Sequence, residues 1–258
     1  MNVPEFLNRS MFILGEEGYV KVSTPVVSIA GLGGVGGLVF LTLVRSGVKR
    51  FRLTDGGAFD PPDMNRQILA FNHTLGLDKH DVYVKAGLDI NPDLEIEQYP
   101  NGLTLDNIDK FIKGSDIFIR AMDWQKDFHV KRKSIELVGE YKIPMFQAFT
   151  TGVASVLHNY EPGGMTPQEF WPLFKNPKVM KYLHTDGVAK KLVECQEENI
   201  LPSISIGANM ASLLLASEVL VYMLQGTSLI DRPPIYTPKF VVLNPFNMTM
   251  NLLDGNNI

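Results

Sequence analysis

The chain has 258 residues, 45% of them hydrophobic and 20% charged, and a formal net charge of −4. This is ordinary globular composition, suited to one large α/β domain, and a core of that size needs no disulfide or zinc staple. The acidic balance disfavours general nucleic-acid binding, and the single cysteine, Cys195, excludes an internal disulfide and any Cys-x-x-Cys zinc pair, so a reducing cytoplasm is the expected compartment. No apolar run reaches the eighteen or so residues that a membrane span needs, and the N-terminus, carrying Glu5, does not read as a signal peptide.

In chain order, residues 24–30 are a β-branched run that predicts a buried strand, followed by Gly31-Leu-Gly-Gly-Val-Gly-Gly37. Residues 38–46 predict a buried helix that Gly47 can end, and residues 48–54 a second strand that stops at Asp55. A crossover of this kind joins parallel strands. Residues 56–64 form a loop, 79–90 a helix closed by Asn91-Pro92, 94–99 a strand and 106–113 a short helix. A strand over 116–122 ends at Asp123, a helix covers 127–140, and 145–149 give one more strand. Strands alternating with helices predict an α/β fold with a Rossmann-like, doubly wound, mostly parallel sheet. Prolines break up residues 161–201, which read as a partly helical insertion or crossover. A long apolar helix follows over 205–225, and 240–253 suggest terminal antiparallel strands. The whole of 1–258 reads as one domain, with its nucleotide-binding part over 22–152.

Gly31, Gly33 and Gly36 satisfy Gly-x-Gly-x-x-Gly between a strand and a helix. Glycine there permits a tight turn and lets backbone amides, with Gly34 among them, approach phosphate oxygens at a helix N-terminus. Asp55 follows about twenty residues on, where a carboxylate accepts hydrogen bonds from ribose hydroxyls. A glycine turn serving only helix–strand packing is the alternative; its place between a strand and a helix favours a nucleotide site, but the turn alone does not choose between NAD, FAD and ATP.

The choice comes from residues further along. Asp63-Met-Asn-Arg-Gln67 lies beyond Asp55, Lys79 opens a helix, and Asp123 ends a strand. In an open parallel sheet, ligands bind beyond the carboxyl ends of the strands, so Asp55 and Asp123 can face one pocket. Taken singly, Arg9, Arg66 and Lys79 read as surface charges; their joint order points to a site.

With these motifs the chain resembles the ubiquitin-activating-enzyme-like adenylyltransferases of the ThiF/MoeB/HesA type. The resemblance is good over about residues 8–152 and moderate around 202–226. It implies ATP, with Gly31-Leu-Gly-Gly-Val-Gly36 as the phosphate turn, Asp55 on the ribose, Asn65, Arg66 and Lys79 at the phosphates, and Asp123 as the Mg²⁺ ligand. Arg9, in the Asn8-Arg9 pair, would act as a second clamp delivered from the other subunit of a homodimer. The implied reaction makes an acyl-adenylate from a carboxylate of a peptide, a small carrier protein or a modified tRNA. Positioned Arg, Lys and Mg²⁺ suit that chemistry, because it gathers negative charge on phosphate oxygens.

The chain also departs from the family pattern. Asp63 stands where asparagine is usual, placing an acid near the phosphates as a metal or amine ligand or as a loop cap. Trp124 and Phe128 occupy positions where the family often has asparagine and arginine. The zinc-binding cysteine pairs of many relatives are missing, and Cys195 is the one candidate for a covalent acyl carrier, among Glu194, Glu197 and Glu198 that oppose thiolate formation. The basic cluster Lys126, Lys131, Arg132 and Lys133 reads as a solvated helix face, and Phe170, Trp171, Phe174 and Tyr182 as core or a peptide groove. The five histidines show no metal spacing; His129 is the one best placed by sequence to approach the pocket. Two other readings stay open: an NAD(P)-dependent oxidoreductase sharing only the glycine turn, and a non-catalytic nucleotide-binding partner subunit.

Overall fold

The computed structural model describes residues 3–122, 128–184, 188, 191 and 202–257. A parallel five-stranded sheet has the order β3-β2-β1-β4-β5, built from β1 (Val26–Ala30), β2 (Arg50–Thr54), β3 (Glu95–Tyr99), β4 (Ile117–Arg120) and β5 (Met145–Phe146). The order reverses at β1, so the crevice between the carboxyl ends of β1 and β4 is where such a sheet receives ligands. Ala30 pairs with Thr54 on one side and with Arg120 on the other. These three strand ends therefore lie level at one edge.

Both faces are covered. One core joins β1, β2 and β4 to α1 (Asn8–Ser23), α2 (Gly36–Arg45), α3 (Lys79–Ile90) and α8 (Ser205–Met223) through Ile29, Phe40, Phe51, Ile119 and Leu215. The other places Phe118 against α4 (Ile108–Ile112) and α5 (Phe128–Glu140), and continues into the second sheet. Burial of this apolar surface, worth roughly 25 cal/mol per Å², is what drives both layers together.

The expected strand over 145–149 is in fact two strands in two sheets. β5 adds to the parallel sheet, whereas β6 (Ala148–Thr151) pairs antiparallel with β7 (Ala154–Leu157), then β8 (Lys239–Asn244) and β9 (Thr249–Asp254). Gln147 is the junction: the chain turns there and Gln147 N–H donates to Asn159 Oδ1 at 3.2 Å. The terminal hairpin is thus half of a four-stranded sheet. Within the stretch read as an insertion, α6 (Pro167–Phe174) and α7 (Pro177–Leu183) pack on that sheet. Phe170 and Phe174 are buried there, Trp171 packs against both, and half-buried Tyr182 packs against the same cluster, so these aromatics belong to the core and its margin.

α8 is long and apolar enough to cross a membrane by length and composition, which the run-length argument had not anticipated. Its packing gives another role. Gly207 and Ser212 sit against the interior, Ser155 Oγ donates to Gly207 O at 2.8 Å, and Ala208, Ala211, Leu215 and Val219 are buried. It is a central core helix lying between α2 and the second sheet.

Candidate functional site

The glycine turn leaves β1 at Gly31 and enters α2 at Gly36. Gly31 has φ +97°, and a Cβ on Gly36 would stand 1.9 Å from Gly31 O. Only glycine permits that closure. Below the turn, Ser212 Oγ of α8 lies 3.3 Å from Gly34 O and 3.1 Å from Val35 O, so the central helix supports the loop directly.

Asp55, just past β2, fixes the turn from the side. Its Oδ2 accepts from Leu32 N–H at 2.7 Å and its Oδ1 from Gly57 N–H at 2.8 Å. Each oxygen retains a lone pair, so the carboxylate can hold the loop and still accept from a sugar hydroxyl.

Asp63 organises the basic residues. It lies in a short 3-10 turn, Pro61–Asn65, and accepts from Asp60 N–H at 3.2 Å. Lys79 Nζ lies 2.9 Å from its Oδ2, Arg66 Nη2 lies 3.5 Å from its Oδ1, and Gln67 Nε2 donates to Oδ1 at 2.5 Å. The acid that departs from the family pattern is therefore both a loop cap and an amine ligand. Lys79, first residue of α3, also sits 5.7 Å from the Phe59 ring centroid, and its own N–H donates to Gly57 O at 2.9 Å. Arg66 lies across the glycine turn, its Cγ 3.3 Å from the point that a Cβ on Gly34 would occupy. Asn65 is engaged within the protein: its Oδ1 accepts from Arg66 Nη1 at 2.9 Å and its Nδ2 donates to Ser203 O at 2.9 Å.

The structure thus brings Gly31, Gly33, Gly34, Gly36, Asp55, Asn65, Arg66 and Lys79 into one continuous site. It does not bring Arg9 there from the same protomer. Arg9 is exposed on α1, and nearby Leu7 packs on Gly47, at the opposite end of α2 from the turn. Asp123, Trp124, Lys126 and Cys195 lie outside the described residues. Phe128 and His129 are exposed, so His129 is not drawn inward. Among the described residues no group of three or more His, Cys, Asp or Glu side chains could hold a metal ion.

Two features escaped the sequence. Gln67 is buried with its Nε2 on Asp63, and its Oε1 lacks a hydrogen-bond partner. Its place in the Asp63–Gln67 motif was the available signal. The second is a polar group where the two sheets meet, buried Arg120, His158 and Tyr160 with half-buried Gln147, whose members are scattered through the sequence. Burial, with a smaller contribution from the Arg120 charge, pushes His158 down to about 3, and desolvation raises Tyr160.

The ThiF family profile matches residues 7–257, nearly the whole chain. The chain belongs to the ThiF family. Among curated relatives, this ThiF-family chain is 33% identical over 153 residues to the vegetative protein HesA of Trichormus variabilis, a stretch covering 59% of this chain and 56% of HesA. It is 33% identical over 117 residues to the tRNA threonylcarbamoyladenosine dehydratase of Bacillus subtilis, covering 45% of this chain and 46% of that one. With the sulfur carrier protein adenylyltransferase of Thermus thermophilus it shares 29% identity over 118 residues, 45% of this chain and 44% of the other. The matched region therefore spans about half the length of these relatives. Among solved structures, Escherichia coli MccB with AMPCPP and MccA superposes with a TM-score of 0.75 at 17% identity, over 98% of this chain and 72% of MccB. That likeness shows a shared ThiF-type fold, and the two-sheet architecture described above is the one it shares.

Proposed function

We propose that this ThiF-family chain is an ATP-dependent adenylyltransferase that activates a carboxylate as its acyl-adenylate. One observation carries the reading: Arg66 lies across the glycine turn while Asp63 links its guanidinium to the Lys79 ammonium. Two positioned cations beside a turn of backbone amides make a cradle for a polyphosphate. The relatives support ATP, since one is named as an adenylyltransferase and MccB was solved with an ATP analogue.

In the reaction, an acceptor carboxylate oxygen forms a bond to the α-phosphorus of ATP. The bond from that phosphorus to the bridging oxygen of the β-phosphate breaks, and pyrophosphate leaves with the electron pair. Arg66 and Lys79 balance the charge on the phosphate oxygens, and Asp55 holds the ribose. Asp123 would bind Mg²⁺, whose preference for oxygen ligands and retained waters suits a single aspartate beside phosphates. Magnesium would supply further charge neutralisation. The acceptor is the carboxylate of a peptide or small carrier protein, with a tRNA-linked carboxyl as the variant that the dehydratase relative suggests.

Arg9 would reach the site from the second subunit of a homodimer. It shares a helix face with Phe12 and Ile13, which are 93% and 71% exposed. Positions three and four apart line one side of a helix, so a partner covering those apolar side chains would also meet Arg9.

ATP–pyrophosphate exchange with candidate carboxylates tests the proposal. Lys79→Ala should lower exchange about 100-fold or more while the circular dichroism spectrum stays native, the order expected when one charge-stabilising donor is lost. Undiminished exchange in that variant removes Lys79 from the phosphate site. Nicotinamide binding without exchange would favour an oxidoreductase.

A further inference from the structure

The proposed phosphate site leaves one buried cation unused. Arg120, last residue of β4, is 7% exposed, and among the described residues its guanidinium makes one hydrogen bond, Nη2 donating to Gln147 Oε1 at 2.7 Å. A guanidinium carries five N–H donors and stays charged in proteins. No carboxylate among the described residues pairs with it.

Among the described residues the surroundings supply no counter-charge. Gln147 is neutral, and His158 is fully buried with Nδ1 2.7 Å from Tyr160 Oη and Nε2 without a partner. Phe149 and Phe170 pack on the His158 ring, at centroid distances of 5.2 and 5.0 Å. A buried charge in such a setting costs several kcal/mol unless it is paired, and a neutral side chain could fill the same space more favourably. A bridge to Gln147 alone is a poor reason to keep an arginine there.

Position supplies the reason. Arg120 pairs in register with Ala30, and the following Ala121 O lies 2.6 Å from where a Gly31 Cβ would be. The Arg120 backbone is thus one residue from the glycine turn, on the β4–β5 side, opposite the side where β2, Asp55, Asp63 and Lys79 gather. The guanidinium reaches toward the junction of the two sheets.

We propose that Arg120 is the anchor for a carboxylate of the acceptor, which enters at this junction and completes the charge balance of the buried group. The identity of the carboxylate as the acceptor's rests on the adenylation reading; the existence of the anion site does not. The phosphates have Arg66 and Lys79 on the other flank, so the anion left for Arg120 is the carboxylate. Planar guanidinium–carboxylate pairing is bidentate, and the one hydrogen bond to Gln147 presets the orientation of the fork.

The probe is sodium acetate, titrated against sodium chloride at equal ionic strength with no nucleotide present, following the thermal midpoint. Acetate should raise the midpoint of the wild-type protein in a saturable manner that chloride does not reproduce. In Arg120→Met the half-saturating acetate concentration should rise at least tenfold. In Arg120→Lys, which keeps the charge and loses the fork, it should rise several-fold. An equal acetate response in the wild type and in either folded variant overturns the assignment, as does the absence of a specific response in the wild type. Should neither variant fold, a crystal structure of the wild type grown in acetate decides: a carboxylate on Arg120 supports the site, and its absence there overturns it. ATP titration of the wild type, run separately, distinguishes this result from failure of the adenylation reading, because the acetate response needs no nucleotide.

Discussion

Asp63 Oδ2 and Lys79 Nζ lie 2.9 Å apart, with the two side chains 11% and 14% exposed. The family resemblance leads one to expect asparagine at this position, and the carboxylate found there makes the ion pair possible. The carboxylate halves the positive charge that Lys79 and Arg66 would together present to a phosphate. Asp63→Asn should therefore act in two opposite directions. Stability should fall by about 2 kcal/mol, because the largely buried Lys79 amine and the partly exposed Arg66 guanidinium lose their counter-ion. ATP affinity should rise by roughly threefold or more, because the pocket regains a full charge. Urea unfolding and ATP titration measure the two effects, and a variant that loses both stability and affinity would make Asp63 only a scaffold.

Gly34 and Gly36 separate what the turn needs from what Arg66 needs. A Cβ on Gly34 would lie 3.3 Å from Arg66 Cγ, part of a flexible side chain that can yield. A Cβ on Gly36 would lie 1.9 Å from a backbone oxygen. Gly34→Ala should fold with a midpoint near the wild type yet bind ATP several-fold more weakly, since Arg66 is displaced. Gly36→Ala should lose several kcal/mol, the scale of other buried backbone clashes. Equal behaviour of the two variants in thermal unfolding would contradict the geometry.

Much of this was readable in the sequence, and the limits have physical causes. The helix expected over 79–90 is α3, Lys79–Ile90, because Asn91-Pro92 is a local stop signal. The gathering of Asp55, Arg66 and Lys79 was expected from their joint order and the family resemblance, whereas the strand-end argument reached only Asp55 and Asp123. The expected strand over 145–149 divided because the change of sheet at Gln147 depends on a tertiary partner, Asn159, that no local pattern reveals. Asp63 was legible as unusual but not as a hub, since its partners come from the 3-10 turn and from α3. Arg120 read as one residue of an apolar strand. That no described carboxylate pairs with it is a property of three-dimensional packing.

Arg9 and Lys79 allow a test of the homodimer by complementation. Each of Arg9→Ala and Lys79→Ala should be inactive alone in pyrophosphate exchange. Mixed and re-equilibrated in equal amounts, they should recover roughly a quarter of wild-type activity: half of the dimers are mixed, and one of the two sites in each is intact. Phe12→Asp, on the same helix face as Arg9, should give a monomer by sedimentation and abolish exchange. Failure of the mixture to recover, with both variants dimeric, would place Arg9 outside the site.

His158 gives the fold a defined acid sensitivity. Its ring is fully buried between Phe149 and Phe170, hydrogen-bonded to Tyr160 and near the Arg120 charge, and its pKa is lowered to about 3, by burial first and Arg120 second. In the unfolded chain it titrates near the ordinary histidine value of about 6.5. Between these values the unfolded state binds a proton that the native state refuses. The contribution to stability is therefore complete above the unfolded value and is lost as pH falls through the window from about 6.5 toward 3. The slope from one such group is about 1.4 kcal/mol per pH unit. Urea midpoints at pH 7, 6, 5 and 4 should fall progressively, and His158→Gln, though less stable at pH 7, should show a slope shallower by one proton. Parallel pH profiles for the two proteins would mean that His158 takes up its proton in the folded state.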